Sequence, residues 1–178
     1  MTIHEIKKMQ EDVEAVLPEG AIVVGNVSLM RRPKQGANGM FEYFPISCEE
    51  SPSVCKPSDI KAIVPTAANN VMVWFGSVGD SSGERTRFTW NTDSVIDMYV
   101  WFNSARFIGA FCDIQECLVN TVLGAIITDK RLLIKSFNVD YSLSALRALT
   151  IYSDISYFPY SFFSIRFHIG SSVDYACT

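Results

Sequence analysis

YSFFSIRFHI, running from Tyr160 to Ile169, places Phe163, Ile165, Phe167 and Ile169 in strict alternation with Ser164, Arg166 and His168. Side chains of a strand point to opposite faces in turn, so this pattern specifies one face on a core and one polar face. A one-residue slip would expose the whole apolar set, so the register is strongly determined.

Working outward, SVIDMYVWF (Ser94–Phe102) is apolar on both faces apart from Asp97, which places it centrally in a sheet. VMVWFGSV (71–78) reads as a strand, Gly79-Asp80-Ser81-Ser82-Gly83 as a hairpin loop, and ERTRFTWN (84–91) as its returning partner. In that partner Arg85 and Arg87 face one way, with Thr86, Phe88 and Trp90 facing the other. FCDIQECLVNTVLG (111–124) reads as a helix. Asp113 is its cap with Glu116 three residues on, Ile114, Leu118 and Val122 form its apolar face, and Gly124 closes it. RLLIKSFNVDY (131–141) is a further strand, 142–158 a weakly patterned connection, and Gly170 to Thr178 a frayed tail.

At the other end, Thr2 and Glu5 have the spacing of a capping box. Ile3, Ile6, Met9, Val13 and Val16/Leu17 follow as a helical stripe, which Pro18 and Gly20 end. AIVVGNVSLM (21–30) reads as a strand. Residues 31–70 hold five prolines (Pro33, Pro45, Pro52, Pro57, Pro65) and one short strand-like piece near Phe41–Ile46, so they read as an extended arm or loop with no core of their own. The expectation is a single α+β domain over 1–178. Its sheet is mixed and mostly antiparallel, with two helices on one face and a long extended loop.

Composition narrows the function classes. With 178 residues and 48% apolar content, the chain can bury a core unaided. Charged residues are only 19%, against a usual ~25%, so part of the surface is expected to be covered by a partner, and an oligomer is the favoured reading. A net charge of −4 does not suit a phosphate-gripping nucleic-acid binder. The longest basic run, Arg31-Arg32-Pro33-Lys34, is accounted for by a strand-end loop as well as by a phosphate site. Five cysteines (48, 55, 112, 117 and 177) are odd in number and unevenly spaced, which argues against a disulfide framework. Cys112 and Cys117 point about 140° apart on a helix. Only His4 and His168 could join them, so no zinc spacing arises. Buried or semi-buried free thiols in a reducing cytoplasm are expected. The N-terminus has no signal-peptide core, and no apolar run reaches the ~18 residues a membrane span needs.

No catalytic constellation, cofactor motif or metal site is read. His4 lies in a charged first turn, and His168 sits beside Arg166 without a marked nucleophile, as a surface or interface histidine. Glu49-Glu50 is a solvated pair in a loop. Asp97 interrupts an apolar strand, so it either faces solvent or pairs with Lys or Arg across an interface. Gly76, Gly79 and Gly83 lack the Lys-Ser/Thr that a phosphate loop requires. Trp74, Phe75, Phe88 and Trp90 read as core or interface packing.

One combination goes further. A strand ending Val100-Trp101-Phe102-Asn103 leads into a helix at Asp113–Gly124 and then two strands joined by a long connection, the last being Ser161–Ile169. Before it stand a helix ending Leu17-Pro18, a strand and an extended loop. This layout resembles the tail-terminator (tail-completion) proteins of tailed bacteriophages over most of the chain, by element order rather than by a motif. The resemblance implies a small subunit, assembled in the host cytoplasm, whose ring caps the tail tube and joins it to the head–tail connector. DNA would pass through the channel without specific binding. Subunit or partner contacts are then expected at Arg31, Arg32 and Lys34, at Asp80, Arg85 and Arg87, and at Arg166 and His168. Two other readings stay open. One is a small-molecule or peptide-binding module with a pocket at Trp74, Phe88 and Trp90; the other is a cysteine hydrolase using Cys48 or Cys112 with His168.

Overall fold

The computed structural model describes residues 2–26, 28–33, 41–47, 61–62, 70–77, 82–85, 89–107, 111–142 and 160–174. Among them, helix α1 (Thr2–Glu14) is followed by strands β1 (Ile22–Asn26), β2 (Ser28–Pro33), β3 (Phe41–Ser47), β4 (Lys61–Ala62), β5 (Val71–Ser77), β6 (Ser82–Arg85) and β7 (Thr89–Asn103). A 3-10 turn (Ser104–Arg106), helix α2 (Phe111–Thr128) and strands β8 (Leu133–Asp140) and β9 (Tyr160–Asp174) complete the order. The main sheet runs β1-β5-β7-β9-β8, with β6 alongside β7. β1 pairs β5 in parallel, while β5, β6 and β9 all pair β7 antiparallel, as β8 does β9. The fold is therefore α+β with a mixed, mostly antiparallel sheet.

The alternation that defines β9 becomes the core. Phe163, Ile165 and Phe167 lie opposite Val100, Met98 and Ile96 of β7, and all six are fully buried with Val73 and Phe75 of β5. Onto this face pack Ile6, Met9 and Val13 of α1 and Ile114, Leu118, Val119, Val122 and Ile126 of α2. Helical spacing puts each set on one stripe, so both helices cover the same side. Burial of each such side chain contributes about 1.5–3 kcal/mol, which is why this face sets the architecture.

Several boundaries differ from expectation. VMVWFGSV does not pair with 84–91. Its partner is 96–102, because a strand apolar on both faces needs a neighbour on each side. Ser82–Arg85 instead pairs with Asp93–Trp90, so the chain reverses between Arg85 and Thr89 rather than at 79–83. The expected strands 84–91 and 94–102 thus give way to one long β7 preceded by the short β6. The strand expected over 21–30 is two: β1 joins the main sheet, while β2 pairs β3 in a separate three-stranded sheet with β4.

The helix α2 starts two residues before Asp113, which lies in its first turn, and runs through Gly124 to Thr128. Burying Ile126 completely on the apolar stripe outweighs the propensity cost of one glycine, and the Thr128 hydroxyl donates to the Gly124 carbonyl at 2.7 Å. Glu5, expected to close a capping box, is buried at 6% exposure, and its Oε2 has no hydrogen-bond partner among the described residues. At the end of α1 the chain turns through Gly20 at φ 87°, a left-handed conformation glycine adopts without a Cβ clash. Nor does the chain fray at Gly170. β9 continues to Asp174, because Thr89–Asp93 of β7 supplies ladder partners for Gly170–Asp174.

Candidate functional site

The face of the main sheet opposite the helices is divided. On one half Met72, Trp74, Trp101 and Phe162 form a second apolar cluster, with Val24 and Tyr99 packed against it. Phe162 therefore corrects the expectation of a wholly polar second face on β9. The Trp74 and Tyr99 rings stack with centroids 5.6 Å apart, and Phe162 lies 6.1 Å from each. Trp74 is 2% exposed, and its indole N–H has no acceptor among the described residues.

The other half is polar and centres on Asp97. Its carboxylate is buried, and Arg166 lies directly opposite it on β9. The guanidinium donates Nε–H to Oδ1 and Nη2–H to Oδ2, both at 2.8 Å. This settles the alternatives for Asp97: it pairs with an arginine, and does so across strands of its own sheet. Tyr99 joins the two halves, its ring in the aromatic stack and its hydroxyl donating to Asp97 Oδ2 at 3.3 Å. Burial, then the negative charge of Asp97 and its hydrogen bond, push the Tyr99 hydroxyl well above its ordinary range. The hydrogen bonds and charge of Asp97 likewise raise Arg166, so its cation is fixed.

A second polar cluster ties α1 to the α2–β8 connection. Arg131 donates to Asp129 (3.0 and 2.9 Å), to Glu11 (3.1 Å) and to Asp12 (2.8 Å). Lys8 adds a hydrogen bond to the Arg131 carbonyl. Burial and the neighbouring Asp129 carboxylate raise Asp12, with Arg131 opposing them. At Asp129 burial also acts upward, but the side-chain and backbone hydrogen bonds from Arg131 outweigh it and hold the group low. These charges are committed to holding the fold together.

The apolar side chains left in solvent have a distinct distribution. Among the described residues the large exposed ones are Val16 (41%) and Ile22 (38%), then Ile127 (46%), Leu133 (60%), Phe137 (45%) and Tyr141 (53%). The first two belong to β1 and the connection leading into it. The other four belong to β8, the end of α2 before it and the residue after it. β1 and β8 are the two edges of the main sheet.

The expected contact residues fare unevenly. Arg166 and His168 lie on one face of β9 and are exposed. Arg31 and Arg32 are residues of β2, in register with Tyr43 and Glu42 of β3. Arg85 is opposite Trp90 in β6. Lys34, Asp80 and Arg87 lie outside the described residues, as do Cys48 and Phe88. Trp74, expected to line a pocket, is enclosed by its cluster. Cys112 belongs to the first turn of α2, a helix packed on the core face of the sheet, and His168 is exposed on the opposite face of β9. Cys117 is an exposed free thiol rather than a buried one, being on the outer side of α2. Among the described residues no helix is long and apolar enough to cross a membrane. Compared with protein-family models and with curated proteins, the chain matches none.

Proposed function

We propose that the protein is a non-enzymatic structural subunit that works by self-association, as a tail-completion ring of a tailed bacteriophage joining the tail tube to the head–tail connector. The observation that carries this reading is that, among the described residues, the large exposed apolar side chains lie on or next to β1 and β8, the two ends of the main strand order. Scattered exposed apolar residues need no explanation, but their grouping at both ends of one sheet suits subunits joined side by side. The commitment of Arg131 and Arg166 to intramolecular carboxylates fits a scaffold role. A net charge of −4 suits a channel through which DNA passes without being held. Assembly in the host cytoplasm and incorporation at the neck of the virion belong to the same proposal. Light scattering across a concentration series tests it. A discrete multi-subunit mass, alone or on addition of tail tubes, is expected; a strict monomer that ignores tail tubes would refute it.

The buried indole N–H of Trp74, which has no acceptor among the described residues, favours a second reading, a small-molecule or peptide-binding module in which a ligand acceptor meets that donor. Ligand-dependent tryptophan fluorescence that disappears in Trp74→Phe would support it. A ligand response unchanged by Trp74→Phe would remove it.

A further inference from the structure

Resting on the ring reading, we infer that copies of this chain join head to tail by their sheet edges, β8 of one against β1 of the next, so that the main sheet continues from subunit to subunit.

Direction is the first argument. β1 is parallel to β5, and the pairings β5–β7, β7–β9 and β9–β8 each reverse the chain. β8 therefore runs opposite to β1. Rotation about an axis along the strands preserves strand directions, so β8 meets the neighbour's β1 as an antiparallel pair. Such a rotation also keeps the helical face on the same side. Phe137, opposite Phe167, and Val139, opposite Ile165, share that face of β8. Val23 packs on the same face in β1. On that face apolar residues thus meet apolar residues across the junction, while Ile22, opposite Met72, borders the junction on the other face.

Length is the second. A register shift between Ile134 and Ser136 breaks the first half of β8, where Lys135 reaches over Gly170 to Asp93. A bulge with a lysine is a common guard on a strand edge. What remains regular on β8 is Ser136–Asp140; β1 is regular over Ile22–Val24, before its own register shift ahead of Asn26, so its regular part fits within that of β8. Charge supplies the third argument. Exposed Glu14 and Glu19 lie on the approach to β1, and exposed Lys130 lies on the approach to β8, while Lys135 is taken up by Asp93. Opposite signs at the two edges favour unlike edges meeting over like ones. A joint between unlike edges can close a ring, whereas a joint between like edges stops at a dimer.

The test uses one charged substitution on each edge, Phe137→Arg and Ile22→Arg, in the full chain, with mass read by light scattering and folding by circular dichroism. Each variant alone is expected to weaken assembly by about 30-fold or more, the loss typical of a binding hot spot. An equimolar mixture is expected to give a two-chain complex, because each variant keeps one intact edge. If Phe137→Arg lowers the melting temperature, Asn138→Arg at the same exposed edge takes its place. Ile22→Arg assembling like the unmodified chain while Phe137→Arg does not would overturn the inference in favour of paired β8 edges. Full assembly of both variants would overturn the edge geometry but leave the ring. An unmodified chain that stays monomeric with tail tubes would overturn the ring reading itself.

Discussion

Asp97 and Arg166 stand directly opposite each other on β7 and β9, and the carboxylate is nearly enclosed while its arginine is half exposed. The side-chain exposures are 8% and 49%. The aspartate accordingly depends on the arginine, whereas the arginine could be solvated without it. A buried carboxylate in an otherwise apolar strand is tolerable only with such a partner.

That asymmetry predicts unequal costs. Removing one member of a fully buried pair costs about 3–5 kcal/mol, and water reaching the guanidinium reduces this. Arg166→Met is expected to destabilise by about 2 kcal/mol in urea unfolding, since it strands Asp97. The double variant Asp97→Leu/Arg166→Met should regain more than half of that, because no charge is left behind. A double variant less stable than Arg166→Met would show that the pair itself, and not the stranded charge, dominates.

Tyr99 is predicted to resist alkaline titration. Its hydroxyl is raised above the ordinary tyrosine value of about 10, so the neutral form is favoured in the folded state. The stability this gives is present below pH about 10 and is lost as the pH climbs through the folded value. Before alkaline unfolding, Tyr99→Phe and the unmodified chain should therefore show the same number of phenolates by absorbance. One phenolate fewer in the variant at pH about 11 would contradict this.

Gly124 sits inside α2, exposed, with nothing within 4 Å of where a Cβ would be. Alanine removes the entropy cost of glycine without meeting any atom, so Gly124→Ala is expected to stabilise by about 0.5–1 kcal/mol. A lower melting temperature for this variant would indicate that the helix end is bent in a way only glycine permits.

The Arg131 cluster predicts a pH signature. Asp129 is held low, so its contribution is present above the unfolded value near 3.9 and is lost as pH falls through the folded value. Asp12 is raised, so it works in reverse, being least favourable once ionised. Arg131→Ala removes the cation facing Glu11, Asp12 and Asp129. The variant should lose stability at neutral pH, and its deficit should narrow as the pH falls below about 4 and Asp129 takes up its proton. Denaturation midpoints at the two pH values measure this. A deficit independent of pH would mean that Arg131 acts through packing alone.

How far the sequence is legible depends on what each pattern reports. Alternation over Phe163–Ile169 and the stripe Ile6, Met9, Val13 correctly identify which faces are buried, because burial is a property of a side chain and its period. Pairing is not. Nothing local in VMVWFGSV says that its partner is 96–102 rather than 84–91. Turn-forming residues at 79–83 point to a hairpin, but the central position of β7 decides the pairing instead. The edges were equally hidden: Phe137 and Leu133 look like core residues until β8 is seen to end the sheet. Asp97 was visible because a charge in an apolar strand violates the pattern. Its partner, sixty-nine positions away, was not.

The parallel pairing of β1 with β5 has a kinetic consequence. Roughly fifty residues of chain must be closed into a loop before Ile22–Val24 can meet Met72–Trp74, whereas β6 and β7 meet locally. The amino-terminal unit is therefore expected to dock late, and pulse-labelled hydrogen exchange should find β1 amides protected after those of β7. Until then the apolar strand Val71–Phe75 is itself the sheet's open margin. On a nascent chain, α1 and β1 act as a built-in chaperone segment that caps this sticky strand and leaves a shorter edge in its place.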